Sequence, residues 1–129
     1  MQIELFTLCD GAYNYNGKLT IVGTLNGIAV PQLPAQIKVS LAMRMRVGRE
    51  DEGEKNMIVH FVNPDGKNLP VELAVKLNIV PTEVPESYVT FAADIQGLPL
   101  EKEGRYCVDI AIDGEQIGNY PFNVQIKRQ

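Results

Sequence analysis

Few side chains in this chain could do acid–base or nucleophilic chemistry. Nucleophilic catalysis needs a base within hydrogen-bond reach of a serine, threonine or cysteine, and the single histidine, His60, is the residue suited to that task. His60 alternates with Met57, Val59 and Phe61 in the segment 57–62. Alternate residues of a strand point to opposite faces, so His60 is expected to point outward with no catalytic role. We therefore expect no catalytic residue and a protein that is not an enzyme.

The sequence also lacks the signatures of bound metals and cofactors. One histidine and two distant cysteines, Cys9 and Cys107, do not supply the closely spaced ligand pairs of structural zinc sites. Gly23 and Gly27 lie within a strand pattern rather than at the start of a helix, which is typical of a bulge or a close strand crossing and not of a phosphate loop. We predict no cofactor and two reduced thiols rather than a disulfide.

The elements that must position these residues are strands. Alternation with a period of two is clearest over 37–47 and 69–79, and either segment could be a helix only if charged residues were buried at every second position. Further strands are predicted near 2–9, 18–30, 57–63, 87–96, 105–113 and 117–127. Asn16-Gly17, Pro64-Asp65-Gly66 and Asp113-Gly114 would close antiparallel hairpins. About eight strands without helices predict an all-β antiparallel β-sandwich, with a closed barrel as the alternative.

Length and charge limit the classes of partner. A chain of 129 residues, 45% hydrophobic and 22% charged, is expected to form one domain over 1–129 that buries roughly two-thirds of its unfolded surface. The formal net charge of -4 repels phosphate backbones and anionic lipid headgroups, so no nucleic acid and no membrane is expected as a partner. Neither a signal sequence nor a membrane segment is recognisable, and a cytoplasmic location is expected.

Acidic loops suggest one possible ligand site. Alternate connections of an antiparallel sandwich fall at the same end. That end would collect Asp10, the acidic segment 50–54, Glu83, Glu86, Asp113 and Glu115. Because clustered loop oxygens bind hard cations such as calcium, we name Asp10, Asp51 and Asp113 as a candidate site for a cation or cationic partner. The simpler interpretation is a set of solvated turns that repel one another.

Several positions predicted to face away from the core carry small or apolar residues instead of charged ones. They are Val22, Ala42, Ile58, Val62, Ala74, Ala92 and Ala111. Contiguous apolar patches on a surface mark interfaces, so we predict that these residues serve self-association or a protein partner. The alternative is that a loop, or the strand 2–9 itself, covers that face. The strand pattern favours cover on both of its sides, because Ile3 and Leu5 would face one side while Phe6 and Leu8 face the other.

Both ends of the chain carry a recognisable motif. The first is Leu8-Cys9-Asp10-Gly11-Ala12 followed by Gly17-Lys18-Leu19-Thr20-Ile21-Val22-Gly23. The second runs from Gly104-Arg105-Tyr106-Cys107 to Asp113-Gly114, followed by Ile117-Gly118 and Pro121-Phe122-Asn123-Val124. They resemble the opening and the terminal hairpin of a family of small bacterial proteins of unknown function. The resemblance implies an immunoglobulin-like architecture and no assigned activity, and Asn26 stands where the family pattern has an acidic residue.

The function expected from these observations is a non-catalytic binding or interaction module. Immunoglobulin-like sandwiches bind partners through loops and faces, and the apolar outer positions are the distinguishing feature here. The alternative is a small-molecule or carbohydrate-binding sandwich or barrel, which needs a concave cavity lined by barrel-interior residues or by the turn at Tyr13 and Tyr15. An enzyme would have to use Asp109, Asp113 or Glu115, whose spacing is no better than chance.

Overall fold

Two β-sheets make up the structure, a computed structural model that describes residues 1–80 and 87–127. The strands are β1 (Gln2–Tyr15), β2 (Lys18–Leu25), β3 (Gly27–Val30), β4 (Ala35–Val47), β5 (Gly53–Val62), β6 (Asn68–Ile79), β7 (Ser87–Leu100), β8 (Gly104–Ile112) and β9 (Glu115–Ile126). Sheet A has the order β2-β1-β4-β7 and sheet B the order β3-β9-β8-β5-β6. The predicted all-β sandwich is confirmed, since two separate sheets enclose the core. Within the described residues, no helix is long and apolar enough to cross a membrane.

One predicted strand changes sheet. The segment 18–30 is divided at Asn26, so that β2 lies in sheet A and β3 in sheet B. β3 pairs with β9 in parallel, from Gly27 opposite Asn123 to Val30 opposite Ile126. The predicted antiparallel pairing holds for the other described strand pairs and fails at this edge, and the described residues hold nine strands where about eight were predicted. The physical reason is that the crossing chain enters sheet B in the same direction as β9.

The predicted turns are confirmed. Asn16 and Gly17 both have positive φ, 51° and 74°, as do Asp113 and Gly114, 49° and 84°. Two consecutive left-handed residues form the type I′ turn, whose twist suits a two-residue hairpin. The β5–β6 connection is closed by Asn63, whose side-chain Oδ1 accepts hydrogen bonds from the backbone N–H groups of Asp65 and Lys67.

The core is filled by the alternating large side chains. Fully buried members include Leu41, Met43, Met45, Met57, Val59, Phe61, Val108 and Ile110. Tyr106, at the start of β8, is buried among them, and its hydroxyl donates a 2.7 Å hydrogen bond to the carbonyl of Lys102. A tyrosine that bonds back to the backbone a few residues upstream is a hallmark of immunoglobulin-like domains.

A bulge in β1 corrects the predicted phase of its first residues. Ile3 lies opposite Met45 and Leu5 opposite Arg44, so Glu4 is an extra residue in β1. An inserted residue shifts the alternation by one position. Ile3 therefore packs toward the core together with Phe6 and Leu8, while Leu5 points outward and is 39% exposed.

Candidate functional site

The outer face of sheet B brings together four of the seven predicted interface residues. Ile58 lies directly opposite Ala74 of β6 on one side and Ala111 of β8 on the other. Val62 follows on the same face of β5, opposite Cys107. Ala74 is exposed, and the other three interface residues are half-buried. We call this set, Ile58, Val62, Ala74 and Ala111, the apolar row.

Polar side chains form a second row, which crosses the face between Ile58 and Val62. His60 lies between Glu72 of β6 and Asp109 of β8, with its Nδ1 3.6 Å from Glu72 Oε2. The Asp109 carboxylate accepts hydrogen bonds from the amides of Gln116, at 2.7 Å, and Asn119. Fixed donors and acceptors next to small apolar residues can orient a bound surface.

The two cysteines lie on the outer faces of different sheets, where both are free thiols. The Cys107 sulfur accepts a 3.4 Å hydrogen bond from the Asn119 amide, so an amide and not a base is its polar neighbour. Cys9 is fully buried beside β4, and its thiol donates to the carbonyl of Ser40 at 3.7 Å. A sandwich core about 10 Å thick separates Cys9 from Cys107, which is too far for a disulfide.

The chain itself covers the part of the outer face of sheet A around Ala42. The β1–β2 hairpin beyond Gly11 lies across β4 and β7, where Cys9, Ala12 and Ala42 form a small buried cluster. Leu19 and Ile21 of β2 and Ala92 of β7 pack against this cluster. The assignment of Ala42 to an exposed interface is therefore wrong, because Ala42 is 0% exposed, and Ala92 is half-buried under the same hairpin. Small residues are needed here so that the hairpin can approach closely.

Two hydrogen bonds fasten the hairpin to sheet A. The Asn14 amide donates to the carbonyl of Thr90 at 3.2 Å, and the Thr90 hydroxyl donates to Asn14 Oδ1 at 3.1 Å. Tyr13, Tyr15 and Val22 lie on the opposite, upper side of the hairpin and are 63%, 72% and 54% exposed. Val22 therefore does not share a surface with the apolar row of sheet B.

The opening motif of the chain forms the bend of this hairpin. Cys9 pairs with Thr24 and Gly11 with Val22, which places Asp10 and Gly23 opposite each other between them. Gly23 has a φ of 67°, and a Cβ built there would lie 2.9 Å from Asp10 Cγ. The register of β1 with β2 is the same on both sides of Gly23, so the bulge predicted there is not found, and the Asp10 carboxylate occupies the space that the missing side chain of Gly23 leaves. Burial raises the pKa of the Cys9 thiol beside this bend.

The predicted acidic cluster is only partly assembled. Asp51 and Asp113 line one cavity of about 250 Å³ together with Lys55 and Glu115. Asp51 already pairs with the amino group of Met1 at 3.4 Å and accepts a hydrogen bond from Gly48 N, while Asp113 accepts one from Asn56 N.

Asp10 does not belong to this cluster. It lies nine positions along β1 from Met1, a distance of roughly 25–30 Å at the rise of a strand. The prediction is therefore wrong for Asp10, because β1 carries it away from the end where Asp51 lies. Glu83 and Glu86 lie outside the described residues. Within the described part of the chain, no group of three or more histidine, cysteine, aspartate or glutamate residues could hold a metal ion.

An apolar cavity of about 160 Å³ opens between β1 and β9. It is lined by Phe6, Thr7, Leu8, Leu25, Asn26, Tyr120, Pro121 and Phe122. Phe6 and Tyr120 stack beside it with ring centroids 4.3 Å apart, and burial raises the pKa of the Tyr120 hydroxyl. Tyr13 and Tyr15, the aromatic residues that the sequence offered for ligand contact, do not line this cavity.

Sequence reasoning missed the polar row of Glu72, His60, Asp109 and Asn119. Each of these residues was recognisable as an outward position of its own strand. Their alignment depends on the registers of β6, β5, β8 and β9, which no local pattern specifies.

Comparisons with known proteins give a family and a fold. A model described as a family of unknown function (DUF6941) matches residues 4–125. No curated protein matches the sequence. Among solved structures, this chain is similar to the Pseudomonas fluorescens alkylpurine DNA glycosylase AlkC bound to DNA containing an abasic site analog, with a TM-score of 0.54 and 10% identity. The match covers 96% of this chain and 30% of that chain. A likeness at this identity concerns the fold alone.

Proposed function

We propose that this chain, which belongs to a family of unknown function, is a non-catalytic binding module that contacts a protein surface through the outer face of sheet B. The observation that carries the proposal is the apolar row, in which Ala74, Ile58 and Ala111 lie side by side across three strands. The two alanines leave the backbone on either side of Ile58 accessible to a close neighbour. Contiguous apolar side chains on the surface of a sheet are typical of a contact with another protein.

The polar row supports the same face. Interfaces combine an apolar centre with hydrogen-bonding groups around it. His60, Asp109 and Asn119 offer donors and acceptors next to Ile58 and are held in place by their neighbours on adjacent strands. The partner that fits is a protein surface with small apolar side chains flanked by hydrogen-bonding groups.

Two observations support a role without catalysis in a reducing compartment. The Cys107 sulfur meets an amide and the Cys9 thiol is buried, so neither is arranged as an activated nucleophile. Free thiols are typical of proteins in a reducing environment. We propose a cytoplasmic location on this ground.

A substitution at the centre of the face tests the proposal. Ala111→Glu places a charge beside Ile58, and Val62→Glu is an independent second change. Thr20→Glu is the matched control, because Thr20 is exposed on the upper side of the β1–β2 hairpin. The immobilised wild-type protein and each variant are incubated with an extract of the native host, and the retained proteins are quantified by mass spectrometry.

The expected result is a protein that the wild type and Thr20→Glu retain and that both face variants lose at least about tenfold, the effect of an uncompensated charge in an interface. Urea denaturation of all four proteins checks that the fold persists. A partner retained equally by every variant would place the contact elsewhere. A wild-type protein that retains no partner would contradict the proposal.

The alternative, a small-molecule or carbohydrate-binding sandwich, has one supporting feature, the apolar cavity between β1 and β9. Its volume of about 160 Å³ is below the roughly 300–1,000 Å³ of sites for drug-sized ligands. We therefore place this alternative second. It would gain support from a ligand that raises the melting temperature of wild type but not of a variant with the cavity filled, such as Leu25→Trp.

A further inference from the structure

The outer edge of β6 has no strand partner in the described part of the chain, where β6 pairs with β5 alone. An unpaired edge presents a row of backbone N–H and C=O groups that can accept another strand. β6 is also long, spanning the twelve residues Asn68–Ile79. Its pairing with β5 is continuous from Ile79 to Glu72.

The other sheet edges are blunted. β3 has only four residues, and β2 has eight with a left-handed glycine, Gly23, inside it. β7 contains Gly97 and Pro99, and its register with β4 shifts between Ile95 and Leu98. Short strands, bulges and prolines are the devices by which proteins prevent edge pairing. The free edge of β6 keeps one register over the eight residues from Glu72 to Ile79, and its one proline, Pro70, lies near an end.

The inner side of β6 is incompletely covered. Leu77 and Ile79 are buried, but Leu69, Val71, Leu73 and Val75 are only half-buried against the core. β7 lies at the same side of the sandwich, with Val89, Phe91 and Ala93 also half-buried. A second molecule at this side would remove further apolar surface from water on both sheets.

The sequence of β6 is complementary to itself. We propose that β6 pairs antiparallel with β6 of a second copy, with the two-fold axis at Ala74. In this register Glu72 lies opposite Lys76 of the second copy, and Lys76 lies opposite its Glu72, so that two exposed ion pairs form. On the inner side, Leu73 faces Val75, Val71 faces Leu77 and Leu69 faces Ile79. Cross-strand pairs of opposite charge and of apolar residues are the units that stabilise a sheet.

The pairing joins the two copies of sheet B into one sheet of ten strands. The row Ala111–Ile58–Ala74 would continue across the axis into Ala74, Ile58 and Ala111 of the second copy. This inference goes beyond the proposed function, because the outer face can bind a partner in either the single or the paired form. Its effect would be to double the length of the apolar row.

A charge exchange tests both the edge and the register. Sedimentation velocity over a micromolar concentration series should show wild type in equilibrium between one and two copies. Glu72→Lys and Lys76→Glu each place like charges opposite each other at both symmetric positions, and each should raise the dissociation constant about tenfold. An equimolar mixture of the two variants restores opposite charges and should associate as tightly as wild type. Arg105→Glu, an exposed change on β8, is the control that should leave association unchanged.

Three results would overturn the pairing. They are a wild type that stays single throughout the series, association that neither charge variant weakens, and weakened variants whose mixture does not recover. Urea denaturation establishes that each variant is folded. The two proposals can fail separately. If the wild-type protein is monomeric but binds a partner that Ala111→Glu does not bind, only the pairing is overturned. If the wild-type protein forms dimers but retains no partner, only the proposed function is overturned.

Discussion

Two separate features of the hairpin bend require a glycine at position 23. The backbone there is left-handed, and the Asp10 carboxylate lies where a side chain would begin. Asp10 of the Cys-Asp pair and Gly23, the last glycine of the opening motif, are therefore close neighbours, which gives the motif a structural meaning. It shapes the bend that lays the hairpin over sheet A.

Substitution of Gly23 separates the two requirements. Gly23→Ala should lower the free energy of unfolding by about 2–3 kcal/mol, of which about 1 kcal/mol is backbone strain and the rest is the clash with Asp10. Gly17→Ala is the matched control, because Gly17 has a φ of 74° and an added Cβ there meets no atom within 4 Å. Urea denaturation should give about 1 kcal/mol for Gly17→Ala.

Without the Asp10 carboxylate, the clash is absent and only the backbone strain remains. The double variant Asp10→Ala/Gly23→Ala should therefore have a free energy of unfolding only about 1 kcal/mol below that of Asp10→Ala. Equal losses for Gly23→Ala and Gly17→Ala would show that Asp10 does not restrict this site.

The β1–β2 hairpin is the element that decides which face of the molecule is free. The hairpin buries Cys9 and Ala42, and it is attached to sheet A by the hydrogen bonds between Asn14 and Thr90. The hairpin beyond Gly11 has few buried apolar side chains besides Ala12, Leu19 and Ile21. Segments with few such contacts open at lower free energy than the core. Cys9 is thus a reporter of hairpin opening.

Loss of the fastening hydrogen bonds should expose Cys9 more often. In a Cys107→Ser background, Asn14→Ala should speed alkylation of Cys9 about 3- to 10-fold, corresponding to hydrogen bonds worth about 0.5–1.5 kcal/mol. Thr20→Ala, on the upper side of the hairpin, should leave the rate unchanged. If Asn14→Ala and Thr20→Ala label at the same rate, the hairpin does not open by releasing Thr90.

Most elements could be predicted from their own alternation, as over 37–47 and 69–79. The hairpin turns could be predicted because Asn16-Gly17 and Asp113-Gly114 tolerate left-handed backbone. The bulge at Glu4 could not, because it is defined by the register with β4. The change of sheet at Asn26 could not be predicted either, since it depends on pairing with β9 at the other end of the chain.

The candidate site shows the same division at the scale of the molecule. Alternation correctly assigned Ile58, Val62 and Ala111 to positions outside the core. It could not say that Ala42 is covered, because a strand pattern records which face a residue is on and not what lies above that face. The neighbours of His60 likewise could not be identified without the cross-strand registers.

Stability at alkaline pH should reflect burial on both sheets. Burial raises the pKa of Cys9 in sheet A and of Tyr120 in sheet B above their ordinary values of 9.0 and 10.0. Both groups hold their protons more tightly when folded, so their contribution to stability is complete below pH 9 and is lost as the pH rises through the raised values. The urea concentration at which half of the protein is unfolded should therefore decrease as the pH is raised from neutral to alkaline values.

A variant without the buried thiol isolates one cause of this fall. Cys9→Ala should begin its decline at higher pH than wild type, whatever its midpoint at neutral pH. A Cys9→Ala profile parallel to that of wild type would remove Cys9 as a cause.

The parallel pairing of β3 with β9 sets the order in which the molecule can be completed. Val30 pairs with Ile126, which lies about 100 residues further along the chain, and contacts of such long range form slowly. On the ribosome, the edge of sheet B therefore stays open until the C-terminal strand has emerged. A chain whose synthesis stops before β9 would leave β3 without its hydrogen-bonding partner.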